Sequence, residues 1–405
     1  MLRASYGGST QSANEWLTGR TGMFSQRIER LTGSLIREIL ALTQREGVIS
    51  FAGGLPAMEA MPELNLAALP QQLRQYGTTE GEPSLRERIA ADLTRIGRTC
   101  AADQVLVTAG SQQGIDLVSK LFIDPGTPVM LESPSYLAAI QPFHLFGARF
   151  LPLRLFPDGI DPSELAEEIR RQRPSFVYLI PTFQNPSGYC YSESVRAEIA
   201  RVLDSEGVPL VEDEPYRELR YGAADHVPIS GRLKSSSWIY LGSLSKTGMP
   251  GIRIGYAAAS PDLYPLLVRL KQGTDLHSNR PGQWWADRFL RSPDYPEHLE
   301  RLRARYRARR DAMAAALDRH FRDLAQWEVP AGGLFFWIQL NRPVDTRELL
   351  RKTLEQDVAF MPGEPFFPGS DQPRGFLRLN FSHAGDEAIE RGIRILAQVA
   401  RSAGC

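Results

Sequence analysis

Cysteine, lysine and surplus charge are all scarce in this chain of 405 residues. Three cysteines, Cys100, Cys190 and Cys405, are too few and too far apart for a disulfide framework or a zinc site. A reducing compartment, the cytoplasm, is therefore expected, with no metal centre. Lys plus Arg and Asp plus Glu both total 47. With no excess of either sign to attract a polyanion or an anionic bilayer, neither a nucleic-acid nor a membrane partner is expected. No run approaches the ~18 uninterrupted apolar residues of a membrane span. The first residues, Met1 to Ser12, lack the apolar centre of a secretory signal and read as a loose polar arm.

What the chain does have is length, and at roughly 150 residues per domain it is expected to hold two or three domains. From Val105 onward, short apolar runs alternate with stretches of helical period, the pattern of helices crossing over between parallel strands. The runs are Val105–Ala109, Val129–Glu132, Phe176–Ile180, Pro209–Glu212, Ile239–Leu241 and Ile252–Ala257. They are apolar at nearly every position, as suits strands covered on both faces. Helices are expected over Gln112–Phe122, Ser163–Arg171 and Glu193–Leu203. Leu299–His320, crowded with Arg and Asp, reads as a long solvated helix. Beyond it Gly333–Leu340, Val358–Met361 and Phe376–Phe381 read as strands of a smaller α+β lobe. The expected division is an arm over 1–23, a segment over 24–60 that joins the smaller lobe, a large unit over 61–290 and the smaller unit over 291–405.

With only five lysines, Lys120, Lys234, Lys246, Lys271 and Lys352, the choice of a reactive amine is short. Lys246 follows an apolar strand in Gly242-Ser243-Leu244-Ser245-Lys246 and precedes Arg253. Such a segment offers an amine for a Schiff base and donors for a phosphate, although a plain surface loop rich in Ser would read the same way. Thr108-Ala109-Gly110-Ser111-Gln112 is a strand, a turn and a helix start, which is either an anion site or an ordinary cap. Val211-Glu212-Asp213-Glu214-Pro215-Tyr216 ends a buried strand in acids. One of them is placed to pair with a pyridine nitrogen, and simple solvation of the acids is the competing account. Asn185, in Gln184-Asn185-Pro186-Ser187-Gly188, is read either as a donor to a cofactor oxygen or as a turn residue.

Taken together, Gly110-Ser111-Gln112, Tyr136, Asn185-Pro186, Asp213-x-x-Tyr216, Ser243-x-Ser245-Lys246, Arg253 and Arg378 resemble the class I aminotransferases of the fold-type I pyridoxal phosphate enzymes. Order and spacing match along nearly the whole chain. Further stretches are most similar to the bacterial 2-aminoadipate aminotransferase subgroup: Ser34–Leu40, Phe51-Ala52-Gly53-Gly54-Leu55-Pro56, Tyr76-Gly77-Thr78-Thr79-Glu80-Gly81 and Lys271–His277.

The resemblance implies an α/β fold, a large domain with a mostly parallel central sheet plus a smaller α+β domain, and pyridoxal 5'-phosphate as cofactor. It implies that Lys246 holds the cofactor covalently and then moves a proton, that Asp213 sits on the pyridine nitrogen, and that Tyr216 and Asn185 sit on the phenolic oxygen. Gly110, Ser111, Gln112, Ser243, Ser245 and Arg253 would surround the phosphate. Tyr136 would stack on the ring, and Tyr76 would reach the phosphate of a neighbouring subunit, making a homodimer. Arg378 would clamp the substrate's α-carboxylate, where a residue-level reading also allows a surface arginine on an edge strand. Gly54 would leave room beside the substrate. Arg37 would recognise the far carboxylate of 2-aminoadipate or glutamate, and it reads equally as the wet face of an amphipathic helix.

The implied reaction moves the amino group of an L-amino acid, 2-aminoadipate first, with leucine-like or aromatic ones as side substrates, to 2-oxoglutarate by way of pyridoxamine phosphate. The rival readings are a lyase or decarboxylase using the same cofactor, and a regulator that keeps an aminotransferase-like domain to sense a ligand. Against the regulator stand the short polar arm, without a helix-turn-helix pattern, and the absent basic surplus. His277 and His383 read as hydrogen-bonded structural residues, and Cys190 as packing.

Overall fold

The computed structural model describes residues 24–30, 47–222, 224–369 and 372–405. Arg37, the stretch Ser34–Leu40 and the 1–23 arm lie outside them. In chain order the strands are β1 (Ile49–Ser50), β2 (Val105–Thr108), β3 (Pro128–Ser133), β4 (Arg149–Phe156), β5 (Gly159–Ile160), β6 (Phe176–Leu179) and β7 (Leu210–Asp213). Then follow β8 (Trp238–Ser243), β9 (Gly255–Ala259), β10 (Ala325–Trp327), β11 (Phe335–Leu340), β12 (Val358–Ala359), β13 (Met361–Pro362) and β14 (Phe376–Asn380).

Eight of these form one sheet in the order β2-β9-β8-β7-β6-β3-β4-β5. The run from β8 to β4 is parallel, β9 is antiparallel to both its neighbours, and β5 is antiparallel to β4. The sheet is thus mostly parallel, as expected. Its inner strands are buried along their length because helices cover both faces: Val129, Leu131, Phe176, Tyr178 and Val211 belong to one apolar cluster, and Met130, Val177, Leu179 and Leu210 to another. A strand buried on both faces has no wet side on which to place charge. Charge collects at the strand ends instead, at Glu132 on β3 and at Glu212 and Asp213 on β7.

A second sheet, β10-β11-β14-β13, is antiparallel, and β1 pairs with β12 in parallel. Ile49↔Val358 and Ser50↔Ala359 therefore bring the chain's early segment to its C-terminal third. The helix Tyr295–His320 runs between the two larger sheets in sequence, and it departs from the solvated helix read from its arginines. Leu299, Leu302, Tyr306, Met313, Ala316 and Leu317 make one buried stripe, and the arginines occupy the other faces. Among the described residues no helix is long and apolar enough to cross a membrane, and no cluster of three His, Cys, Asp or Glu could hold a metal ion.

Three sequence readings differ from the structure. Val358–Met361 is two short strands in two sheets and not one. The strand expected at Ile252–Ala257 starts at Gly255, because Pro250–Ile252 is a 3₁₀ turn and Arg253 has φ +54°. β4 escaped the search for uniformly apolar runs. It alternates buried Leu151, Leu153 and Leu155 with exposed Arg149, Pro152 and Arg154, the signature of a strand with one wet face.

Gly255 shows how closely β9 meets the turn after β2. A Cβ there would lie 2.7 Å from the backbone of both Gly110 and Ser111, and backbone cannot yield as a flexible side chain would. Gly255→Ala is expected to destabilise the fold by about 1–3 kcal/mol through overpacking. A denaturant titration showing an unchanged midpoint would contradict this.

Candidate active site

The parallel strands all end at one edge of the large sheet, and β9, running the other way, begins there. That topology carries residues remote in sequence to a single cavity of about 240 Å³. Ser111 and Gln112 reach it from beyond β2, Tyr136 from beyond β3, Asn185 from beyond β6, and Asp213 and Tyr216 from β7 and the turn after it. Ser243, Ser245 and Lys246 come from the end of β8, and Arg253 from the approach to β9. Ligands of open α/β sheets bind at this carboxyl edge.

Asp213 is buried, and Tyr178, on the adjacent strand β6, donates its hydroxyl to Asp213 Oδ2 at 2.8 Å. The other oxygen, Oδ1, is buried without a partner. Burial pushes this carboxyl up to about 7, with the Tyr178 hydrogen bond pulling the other way. A dry carboxylate oxygen facing a cavity fits a ligand that brings a proton or a positive charge to that point.

Lys246 donates to the Gly54 carbonyl at 2.9 Å, and its Nζ lies 5.9 Å from the centre of the Tyr216 ring. Burial lowers its ammonium to about 8, helped by the charges of Arg378 and Arg253. The neutral, nucleophilic amine is thereby brought close to physiological pH. Gly54 is where the segment after β1 approaches the lysine: a Cβ there would stand 3.8 Å from Nζ and 3.2 Å from Phe335.

The side of the cavity toward β2 and β9 is built for an anion. Helix Ser111–Phe122 begins there, and the first turn of a helix leaves N–H groups without intrahelical acceptors. Gly110 precedes it with φ +80° and ψ +166°, a conformation that is essentially glycine's alone. A Cβ at Gly110 would also sit 2.6 Å from Arg253 Nη2. Arg253 Nη1 bonds Ser245 Oγ at 3.4 Å, and Ser243 Oγ accepts from the Ser245 N–H at 3.1 Å. Two serine hydroxyls, one guanidinium and a helix start thus face the same space.

Opposite lies Arg378, on β14 between β11 and β13, an interior strand and not the edge strand of the plainer reading. It is buried, with its guanidinium carbon 4.2 Å from the Phe335 ring centre and 5.1 Å from that of Phe366. Nη1 donates to Asn185 Oδ1 at 2.8 Å, Nη2 donates to the Ala52 carbonyl, and Nε has no partner. Because arginine only donates, it fixes which end of the Asn185 amide it meets. Nδ2 is left to face the Tyr216 hydroxyl, 3.3 Å away.

One predicted residue among those described does not join this group. Tyr76 does not line the cavity of its own chain; it is 76% exposed and meets the His277 ring edge-on at 5.8 Å. Arg37 lies outside the described residues. Conversely, sequence reading missed Tyr178 and Glu132, each buried in an apolar run. The only signal was a polar group within or at the end of an otherwise apolar run.

The family model for aminotransferase class I and II matches residues 45–396. A 2-aminoadipate transaminase of Thermus thermophilus is 40% identical over 386 residues, 93% of this chain and 96% of the relative. An aromatic-amino-acid aminotransferase of Thermococcus litoralis is 36% identical over 389 residues, covering 93% of each. Among solved structures, the α-aminoadipate aminotransferase LysN of Thermus thermophilus, complexed with N-(5'-phosphopyridoxyl)-L-leucine, superposes with a TM-score of 0.87. It is 37% identical, and the match covers 96% of this chain and 98% of that one.

The raised pKa of Asp213 makes a claim about the cofactor-free protein. Between about 4, the usual carboxyl value, and about 7 the folded state binds a proton that the unfolded state has released. Stability from this group therefore falls as pH rises through that window. Asp213→Asn is expected to raise the melting temperature of the cofactor-free protein at pH 8 and to leave it unchanged at pH 4. Equal shifts at both pH values would contradict the assignment.

Proposed function

This chain belongs to the class I and II aminotransferases and is a pyridoxal phosphate-dependent transaminase, and on that premise we propose that it transfers the amino group of L-2-aminoadipate to 2-oxoglutarate in two half-reactions. Other α-amino acids, leucine-like or aromatic, are accepted less well. The observation that carries the reading is that Lys246, the unpartnered Asp213 Oδ1 and the anion-ready turn at Gly110–Ser111 share one cavity, with Arg378 bonded to its lining residue Asn185. The 40% identity to a 2-aminoadipate transaminase supports the donor, and the aromatic relative supports the breadth.

When bound, pyridoxal phosphate supplies a carbonyl carbon that takes up and releases the amino group and an electron-withdrawing ring. Gly110, Ser111, Gln112, Ser243, Ser245 and Arg253 hold its phosphate, with the Arg253 guanidinium able to bond two oxygens. Asp213 would keep the ring nitrogen protonated, Tyr136 would cover the ring face, and Asn185 and Tyr216 would donate to the phenolic oxygen. Lys246, whose ammonium burial lowers to about 8, would hold the cofactor through its amine and would move the substrate's Cα proton.

Arg378 binds the substrate's α-carboxylate, and Gly54 leaves space beside it. Arg37 recognises the distal carboxylate of a dicarboxylic donor. We read the enzyme as a cytoplasmic homodimer in which Tyr76 serves the phosphate site of the other subunit. Exposed Leu55, Met58, Leu64, Leu66 and Tyr76 along one segment support a face that another copy covers.

Adding L-2-aminoadipate alone to the cofactor-loaded protein is expected to bleach the visible cofactor band and release one equivalent of 2-oxoadipate. A band that persists would remove this donor, and release of carbon dioxide would favour decarboxylation. Lys246→Ala is expected to abolish turnover with the far-ultraviolet circular dichroism unchanged; turnover near the parent's would take the lysine out of its role. Arg37→Ala is expected to raise KM for 2-aminoadipate and glutamate and not for leucine, and an equal rise for all three would give Arg37 a structural part only.

A further inference from the structure

Asn185 touches both Arg378 and Tyr216, yet it stands on a long excursion between β6 and the helix Glu193–Glu206 and not on a strand. Something must hold that loop to a fraction of an ångström. Within it, Gln184 N–H bonds the Tyr189 carbonyl at 2.9 Å, Gly188 N–H bonds the Gln184 carbonyl at 2.7 Å, and Tyr191 N–H bonds the Pro181 carbonyl at 2.8 Å. These close the loop on itself, and Thr182 near its start donates to Glu214, just past β7, at 2.7 Å.

The anchor that reaches the limb carrying Asn185 is Glu132, near the end of β3 and completely buried. Oε1 accepts from the Ile180 N–H at 3.0 Å, where the loop leaves β6, and from the Tyr191 hydroxyl at 2.7 Å, where the loop returns. Oε2 accepts from Gln184 Nε2 at 3.1 Å, one residue before Asn185. The same Gln184 side chain continues the chain of bonds: Nε2 also donates to the Pro134 carbonyl at 2.8 Å, and Oε1 accepts from Ser187 N–H and Oγ at 2.9 and 2.8 Å. A buried carboxylate is costly unless its oxygens are satisfied, and here three donors from the start, middle and end of one loop satisfy it.

Arg196 holds the loop's stems from the helix side, bonding the Pro181 and Tyr191 carbonyls at 2.7 and 3.0 Å. Glu132 is the buried charge that reaches the limb carrying Asn185, through Gln184.

We infer that Glu132 is a positioning residue of the active site, setting the place of Asn185 and through it the orientation of Arg378. The inference rests on the proposed role of Asn185 at the phenolic oxygen. It follows that exchanging one carboxylate oxygen for an amide, Glu132→Gln, changes ligand binding without removing any residue that touches a ligand. The new amide nitrogen would face a donor where an acceptor stood, and either Gln184 or the Ile180–Tyr191 pair would be pushed away.

The test uses the cofactor-loaded full chain as parent, Glu132→Gln, Asn185→Ser and the double variant. It has two readouts besides turnover: the pH midpoint of the visible cofactor band without substrate, and the Kd of glutarate, a dicarboxylate with no amine to react. In Glu132→Gln the midpoint is expected to rise by about one unit, because the phenolic oxygen loses a donor that favoured its charged form. Glutarate affinity is expected to fall about tenfold as Arg378 loses the partner that orients it. Asn185→Ser is expected to move both quantities in the same directions, and the double variant no further than the larger single change, since both act through one contact.

Parent-like values in Glu132→Gln beside shifted values in Asn185→Ser would overturn the inference and leave the reading of Asn185 standing. Parent-like values in Asn185→Ser would overturn that reading and the inference with it. Should Glu132→Gln fail to fold, Tyr191→Phe removes one of the three donors while keeping the ring. A smaller shift of both readouts in the same direction supports the inference, and no shift overturns it.

Discussion

The site depends on three buried charges that are kept from pairing with one another. Asp213 is bonded to a tyrosine hydroxyl, Lys246 to a backbone carbonyl, and Arg378 to an amide oxygen and a backbone carbonyl. Each partner is neutral. In a dry environment an uncompensated charge is driven toward its neutral form, and all three move that way: Asp213 up to about 7, Lys246 down to about 8, Arg378 down to about 10. Internal ion pairs would be cheaper for the empty fold but would leave nothing for a ligand to complete. Here Asp213 Oδ1 and Arg378 Nε are left without a partner from the chain. Such a protein is expected to gain stability from its cofactor by mass action as well as activity.

That arrangement is available because the sheet confines charge to its edge. Helices cover both faces, so the parallel strands carry apolar residues until their last positions, and the polar residues of several crossovers meet at one rim. Close approach then decides which small residues stand where. Gly255 lets β9 lie against the turn at Gly110, Gly110 lets the helix start face Arg253, and Gly54 lets the segment after β1 reach Lys246. The cavity is assembled from loops, but those carrying Tyr136, Asn185, Asp213 and Lys246 leave strands paired on both sides, while the Ser111 turn leaves the edge strand β2, which β9 holds.

This explains what could be read from the residues alone. An apolar run that ends abruptly in Ser-Lys, Glu-Asp or Gly-Ser marks both a buried strand and its functional end, so Lys246, Asp213, Ser111 and Asn185 stand out as candidates in the bare sequence. β4 does not, since its arginines break the run and its information lies in alternation. Nor does the split of Val358–Met361, because the choice between two sheets is made by partners far away in sequence. The bonds of Tyr178 and Glu132 are hidden too: a lone polar residue in a strand announces burial without saying which group, tens of residues off, it will satisfy. The place of Arg378 is ambiguous for a related reason, as a strand's neighbours on either side are a tertiary fact.

Asn185 is the point at which the two halves of the site meet. Its oxygen is held by Arg378 and its nitrogen faces Tyr216, so a planar amide links the buried guanidinium to a hydroxyl that lines the cavity. An amide cannot turn one end without turning the other. Displacing Arg378 from Asn185 Oδ1 would therefore also move the amide nitrogen that faces Tyr216. The link is only as stiff as the loop under Asn185. A carboxylate buried beneath that loop, bonded at both ends and in the middle, supplies the stiffness.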